Sequence, residues 1–139
     1  MPIDFRIFAD RGLVLIQASG FVTIDETVAG MARYEAQTTF DANHKQLVDL
    51  TRVTGFERDY ARFLEIQADK AGRFTAAGAQ MLIVYLAPTA EAQAIASLFA
   101  RSWECTDTIV ATIQHEEARA LSVLGQPETS LRDLLQTAM

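Results

Sequence analysis

One continuously apolar segment, MLIVYLA at residues 81–87, does most to limit the folds available to this chain. It is rich in strand-forming residues, and Pro88 follows it directly. Strands of a parallel sheet have this composition because helices cover the sheet on both faces. A helix that crosses a bilayer needs about 20 apolar residues, so this segment is too short to insert into a membrane. The sequence therefore predicts a buried parallel strand that ends at a proline.

Four further segments predict strands around this one. Residues 3–8 alternate apolar and polar side chains, and a turn at residues 10–12 leads into a second strand at residues 13–20. Two strands joined by so short a turn are expected to form an antiparallel hairpin. The remaining strands are predicted at residues 45–50 and 107–113.

Helices are predicted in the segments between these strands. TIDE at residues 23–26 matches a capping box, in which the Thr23 hydroxyl accepts a backbone N–H and Glu26 reaches back. The helix that follows is expected to run to about residue 39. Later helices are predicted at residues 58–77, 89–103 and 115–125, and a short one from residue 130.

This order of elements predicts one α/β domain that spans residues 1–139. Strand–helix–strand units join parallel strands through right-handed crossovers, so the last three strands should be parallel neighbours. The predicted fold is a sandwich with a mixed five-stranded sheet, an N-terminal hairpin and about four helices.

Composition limits the location and the partners. Hydrophobic residues make up 50% of the chain, and the net charge is −6. An acidic surface repels phosphate backbones, so nucleic-acid binding is not expected. The single cysteine excludes an intrachain disulfide, and no basic segment precedes an apolar run at the N-terminus. A cytoplasmic location is the expectation that follows.

Two segments carry a resemblance to a known family: SGFVTIDETVAG at residues 19–30 and QHEEARALSVLG at residues 114–125. Both resemble segments of the STAS family. Together with the element order, the likeness spans residues 3–125 and is greatest to the bacterial SpoIIAA-like group. The resemblance implies a SpoIIAA-like sandwich that acts in regulation by binding another protein, without enzymatic activity and without a cofactor.

The corner after the third strand departs from that family. Its regulatory members carry Asp-Ser-Ser-Gly there, and a partner kinase phosphorylates the serine. This chain has ERDY instead, with Arg58 in the serine position, so the phosphoserine switch is not expected. Asp59 is predicted to cap the second helix, because a carboxylate there accepts free N–H groups. The predicted protein-binding site comprises six residues of this corner: Thr54, Phe56, Glu57, Arg58, Asp59 and Tyr60.

A small hydrophobic ligand or lipid is the alternative partner. Ligands of open α/β sheets bind beyond the carboxyl ends of the strands. A pocket at that edge would hold a small apolar molecule, whereas a corner filled by its own side chains would have no cavity. The residues predicted to border such a pocket are Thr51, Thr54, Phe56, Tyr60, Ala87 and Pro88.

An enzyme is the third hypothesis, and it depends on Cys105 or His115. Cys105 follows a helix C-terminus beside acidic residues, which disfavours a reactive thiolate, so a packing or surface thiol is expected. His44 and His115 are isolated in the sequence and are expected to be solvated. Two clusters contain possible metal ligands, ERD at residues 57–59 and HEE at residues 115–117. Adjacent residues of a helix diverge by about 100° around its axis, so neither cluster is expected to form a metal site.

Self-association is predicted from two features. The strand at residues 3–8 is expected at a sheet edge, where unpaired backbone groups invite pairing. Leu131, Leu134 and Leu135 are expected to be exposed on the terminal helix, and exposed apolar patches associate. A homodimer is the partner that these features predict.

Overall fold

A computed structural model describes residues 3–104 and 106–137. The described residues form an α/β fold with five strands and five helices, which confirms the predicted class. In chain order the elements are β1 (Ile3–Phe8), β2 (Leu13–Val22), α1 (Ile24–Glu35), β3 (Lys45–Phe56), α2 (Tyr60–Ala76), β4 (Met81–Leu86), α3 (Ala90–Ser102), β5 (Ile109–Gln114), α4 (Glu117–Val123) and α5 (Leu131–Thr137).

The strands lie side by side in the order in which they occur along the chain. β1 and β2 form the predicted antiparallel hairpin through a 3-10 turn at Ala9–Arg11. β2, β3, β4 and β5 are parallel to one another. The prediction that the last three strands are parallel neighbours is therefore confirmed, and the mixed sheet has β1 at one edge.

β2 and β3 both extend further than predicted. Pairing continues from Gln17 opposite Asp49 to Val22 opposite Phe56, through two register shifts. Beyond residue 50, Val53 and Phe56 are buried, whereas Thr51, Arg52 and Thr54 are exposed. This part of β3 therefore still has buried and exposed positions. Gly55 permits this close pairing, because a Cβ atom there would lie 2.9 Å from Cδ2 of Phe21. Residues 51–56, which follow the predicted end of the third strand, are therefore strand.

Helices cover both faces of the sheet. α1, α2 and α3 pack on one face, which carries the larger apolar core, including Leu50, Phe63 and Ile83. α4 and α5 pack on the other, around Leu47 and Leu121. β4 contributes to both cores because its alternate side chains point to opposite faces, as the continuously apolar sequence predicts.

Helix ends agree with the predicted signals. Thr23 Oγ1 accepts from the Glu26 N–H at 3.2 Å, and the Thr23 N–H donates to Glu26 Oε1 at 2.9 Å, so the capping box is confirmed. α1 ends at Glu35, four residues before the predicted end. α2 is followed by Gly78 with φ of 73°, a conformation that glycine adopts without strain.

The C-terminal segment folds back onto the domain. Leu131 and Leu134 are buried and Leu135 is partly buried against the same core, so the predicted exposure of these leucines is wrong. The reason is that the face of the sheet opposite α1–α3 needs a cover that α4 alone does not supply. Arg11 fixes the segment by an ion pair with Glu128 at 2.6 Å, which holds the pKa of Glu128 below its usual value.

No helix among residues 3–104 and 106–137 is long and apolar enough to cross a membrane.

Candidate ligand-binding cavity

A cavity of about 400 Å³ lies between the sheet and helices α1, α2 and α3. Protein interiors are packed to nearly crystalline density, with few voids larger than a water molecule, so a space of this size is not ordinary packing. Its wall is mainly apolar. The sheet contributes Ile16, Ala18, Val48, Leu50, Val53 and Tyr85, and the helices contribute Val28, Met31, Ile66, Ile95, Phe99 and Trp103.

The cavity exists because α2 does not approach the sheet as closely as its neighbours do. α1 packs against β1, and α3 packs against β3, β4 and β5, whereas α2 makes its close backbone approaches to α1 and α3. Gly30 lets α1 approach β1, since a Cβ atom there would lie 2.9 Å from Cγ2 of Ile3. Space remains below α2, between the two helices that rest on the sheet.

Lys70 of α2 brings an ammonium group into this apolar space. The residue is 9% exposed, and Nζ donates to Gln46 Oε1 at 3.4 Å. Nζ also lies 5.3 Å from the ring centre of Trp103 and 5.7 Å from that of Phe74. No carboxylate among the described residues forms an ion pair with it.

These contacts compensate poorly for the buried charge. A cation–π contact contributes about 0.5–2 kcal/mol, whereas removing an ion from water costs several kcal/mol. Burial accordingly lowers the pKa of Lys70 to about 8, a shift that Glu35 opposes and Arg73 reinforces. The ammonium form still predominates at neutral pH, so the cavity contains a cation with which no carboxylate of residues 3–104 and 106–137 pairs.

Gln46 of β3 is 1% exposed and lines the same cavity. Its Oε1 accepts from Lys70, but its Nε2 has no hydrogen-bond partner within the described part of the chain. A buried donor without a partner costs about 1–3 kcal/mol. Lys70 and Gln46 thus place under-used donors side by side in the wall.

A third donor lies on β4. Tyr85 accepts a hydrogen bond from Trp103 Nε1 at 2.9 Å, and no acceptor in the described ranges takes its own hydroxyl proton. Burial raises the pKa of Tyr85 above its usual value, so the hydroxyl keeps that proton. Tyr85, Trp103 and Phe99 are among the aromatic residues of the wall.

The rim of the cavity is formed by the facing sides of α1 and α2. Exposed residues of both helices line it, among them Val28, Glu65 and Asp69. Two ion pairs join the helices on either side: Arg62 with Asp25 near their starts, and Arg73 with Glu35, at 3.0 Å, near their ends. Arg73 also pairs with Asp69. The rim is therefore charged while the interior is apolar.

The six residues of the predicted corner have different environments. Phe56 is buried, lines the cavity, and packs edge-to-face on Phe63 and Phe99 with ring centres 5.7 and 5.2 Å apart. Thr54, Arg58 and Tyr60 are exposed, and none of the three lines the cavity. Thr51, Ala87 and Pro88 likewise are not in its wall.

Two of the corner carboxylates serve helix starts. Asp59 Oδ1 accepts from the Arg62 N–H at 3.2 Å, so the predicted cap of α2 is confirmed. Glu57 Oε1 accepts a hydrogen bond, at 2.9 Å, from the N–H of Ile24, which is the first residue of α1. The charged corner therefore stabilises two helices, and Arg58 between these carboxylates is exposed.

The histidines differ from one another. His115 is exposed, as predicted. His44 is 5% exposed, and its Nδ1 lies 2.8 Å from the hydroxyl of Tyr34, so its predicted solvation is wrong. The hydroxyl supplies a buried partner that the sequence did not indicate. Cys105 lies outside the described residues.

Sequence reasoning did not single out Lys70 or Gln46. A signal was present in both cases, since Phe63, Gln67, Lys70 and Phe74 are spaced 4, 3 and 4 residues apart and form the buried face of α2. Gln46 likewise is a polar residue in a mostly buried part of β3. Polar residues at core positions mark either structural networks or ligand contacts.

Among the described residues no group of three or more His, Cys, Asp or Glu side chains is placed to hold a metal ion. Comparison with protein-family models and with curated protein sequences finds no match for this chain.

Proposed function

We propose that this chain is a non-enzymatic, STAS-like binding domain that holds one small apolar molecule between its sheet and helices. The observation that carries the proposal is the mainly apolar cavity of about 400 Å³. Small-molecule sites measure about 300–1,000 Å³ and are lined by apolar and aromatic side chains with a few polar groups. The cavity has that volume and that lining. The order of strands and helices supports the STAS-like part of the proposal.

A neutral fluorophore tests this function directly. N-phenyl-1-naphthylamine fluoresces strongly in apolar surroundings, so titration into the protein should give a saturable increase at one equivalent. Ala18→Phe should abolish the increase, because Ala18 lies in the cavity wall and a larger side chain fills the space. Val110→Phe is the matched control, since Val110 is 58% exposed on β5 and does not line the cavity. Wild-type protein that shows no saturable binding would exclude the proposal.

Recognition of a regulatory protein at the corner is a second candidate function. Arg58 and Tyr60 favour it, because both side chains are exposed and neither makes a hydrogen bond or ion pair within residues 3–104 and 106–137. Tyrosine and arginine are enriched at the centres of protein interfaces. The test immobilises wild-type protein and the double variant Arg58→Ala, Tyr60→Ala and exposes both to a bacterial lysate. The two should then differ in the protein that each retains. Identical retention by both would exclude the corner.

A further inference from the structure

The cavity wall contains one cluster of polar groups whose bonding capacity is not used. Lys70 Nζ donates to a single neutral acceptor at 3.4 Å, and Gln46 Nε2 donates to none of the described residues. Both side chains are at least nine-tenths buried. Each would gain from the same missing group, an acceptor that carries negative charge.

We infer that the ligand is a monocarboxylate with an apolar tail, and that Lys70 and Gln46 bind its carboxylate. The inference rests on the proposed ligand-binding function and specifies the chemistry of the ligand. A carboxylate has two oxygens, so one can accept from the ammonium and the other from the amide. The tail then occupies the apolar space lined by Ile16, Ala18, Val48, Leu50 and Phe99.

Other head groups fit these observations less well. An alcohol or an ester accepts hydrogen bonds but leaves the charge of Lys70 uncompensated. An amine places a second cation beside the first. A phosphate carries more charge than one lysine neutralises, and the rest of the buried wall is mainly apolar, which makes unpaired phosphate oxygens costly.

The environment of Lys70 suits this role. Glu35 is the carboxylate that raises the pKa of Lys70, and it is already paired with Arg73 at 3.0 Å. Asp69 pairs with Arg73 as well. Glu35 and Asp69 are therefore both engaged by Arg73, and the interior ammonium is left for a ligand.

The test uses three ligands with the same ten-carbon tail: decanoate, decan-1-ol and decylamine. Each is titrated at pH 7 against the protein with bound N-phenyl-1-naphthylamine, and the displacement gives its affinity. We expect decanoate to bind about tenfold to a hundredfold more tightly than decan-1-ol, as charge-assisted hydrogen bonds allow. Equal affinities of decanoate and decan-1-ol, or tightest binding of decylamine, would overturn the inference.

The variants assign the effect to the residues. Lys70→Met should keep the binding of N-phenyl-1-naphthylamine and of decan-1-ol but remove the preference for decanoate. Gln46→Met should reduce that preference. Lys45→Met is the matched control, because Lys45 is exposed and is not part of the cavity wall. A preference that persists in Lys70→Met would overturn the role of Lys70.

A measurement on wild-type protein covers the case in which a variant does not fold. Decanoate labelled with carbon-13 at its carboxyl carbon should show a second, protein-bound carboxylate resonance that saturates at one equivalent. Absence of that resonance contradicts the inference. Fluorophore binding without any preference for decanoate leaves the proposed function standing and rejects the carboxylate, so the two failures are distinct.

Discussion

Lys70 couples the stability of the unliganded protein to pH. The pKa of Lys70 is about 8 in the folded chain, against a reference value of 10.5. Between these two pH values the unfolded chain therefore binds more protons than the folded chain. Stability therefore rises with pH across that window and is lost as pH falls towards 8. The shift corresponds to on the order of 3 kcal/mol. Tyr34 and Tyr85 act oppositely above about pH 10, because burial raises their pKa values.

We therefore expect Lys70→Met to melt at a higher temperature than wild type at pH 7, without ligand. Its melting temperature should also lose most of the rise that wild type shows between about pH 8 and pH 9.5, below the range in which the tyrosines ionise. Thermal melts at a series of pH values measure both effects. Lys45→Met loses the bond from Nζ to Leu124 O and should melt somewhat lower, but its pH dependence should follow that of wild type. A Lys70→Met variant less stable than wild type would contradict the uncompensated charge.

Asp59 and Arg58 are neighbours whose replacement should affect stability differently. Asp59→Ala removes the cap of α2, which should cost on the order of 1 kcal/mol and lower the melting temperature by a few degrees. Arg58→Ala removes an exposed side chain and should change stability by no more than about 0.5 kcal/mol. Thermal melts of the two variants at neutral pH decide the matter. Equal melting temperatures for Asp59→Ala and wild type would show that the cap contributes nothing.

At the scale of elements, two side chains that follow β3 stabilise two different helices. Glu57 bonds to the first N–H of α1, and Asp59 bonds to the first turn of α2. Glu57→Ala should therefore speed hydrogen exchange at Ile24 and leave the first turn of α2 protected, whereas Asp59→Ala should do the reverse. Residue-resolved exchange by NMR measures both, and a common loss of protection in the two helices would mean that they open as one unit.

Most elements were predictable because their signals are local. The capping box, the glycine after α2 and the alternation of β1 each act within a few residues, and the structure has each as expected. The extension of β3 to Phe56 was not predictable in this way. Thr51, Arg52 and Thr54 interrupt the apolar run and Gly55 is a common turn residue, yet these positions are strand because β2 pairs alongside. Pairing between distant segments outweighs local composition there.

The candidate site was less predictable than the fold, and the reason belongs to the whole molecule. Phe56 is the one residue of the predicted corner that lines the cavity. The cavity depends on how far α2 stands from the sheet, a distance set by packing among three helices and not by any motif. Lys70 and Gln46 are adjacent across the interior although 24 positions separate them in the sequence.

Docking of α5 should keep the molecule from associating through its second apolar face. Leu134 is fully buried against the core that includes Leu121 and Leu124. Leu134→Asp should release α5, bare that core and produce oligomers in size-exclusion chromatography with light scattering. Gln136→Asp, on the exposed side of the same helix, is the control. If neither variant forms oligomers, α5 is not needed to cover that core.

Wild-type protein in the same experiment tests the prediction of a homodimer. The buried leucines of α5 no longer support it, and the edge strand β1 is the feature that remains. Its exposed Asp4 and Arg6 place charges along that edge. Concentration-dependent growth in mass is the expected result if β1 pairs between copies, and a strict monomer at high concentration would reject the prediction.

The order of the sheet, in which every strand lies beside its predecessor in the chain, has a consequence for synthesis. Each strand that leaves the ribosome finds its partner already released, so the sheet can grow in the direction of translation at about 5–20 residues per second. The cover of the second apolar face forms later, and the bonds of Arg11 to Gln126 and Glu128 reach 115 and 117 positions ahead. The nascent chain therefore carries an open apolar face until α4 and α5 emerge, and a chaperone could bind that face during the interval.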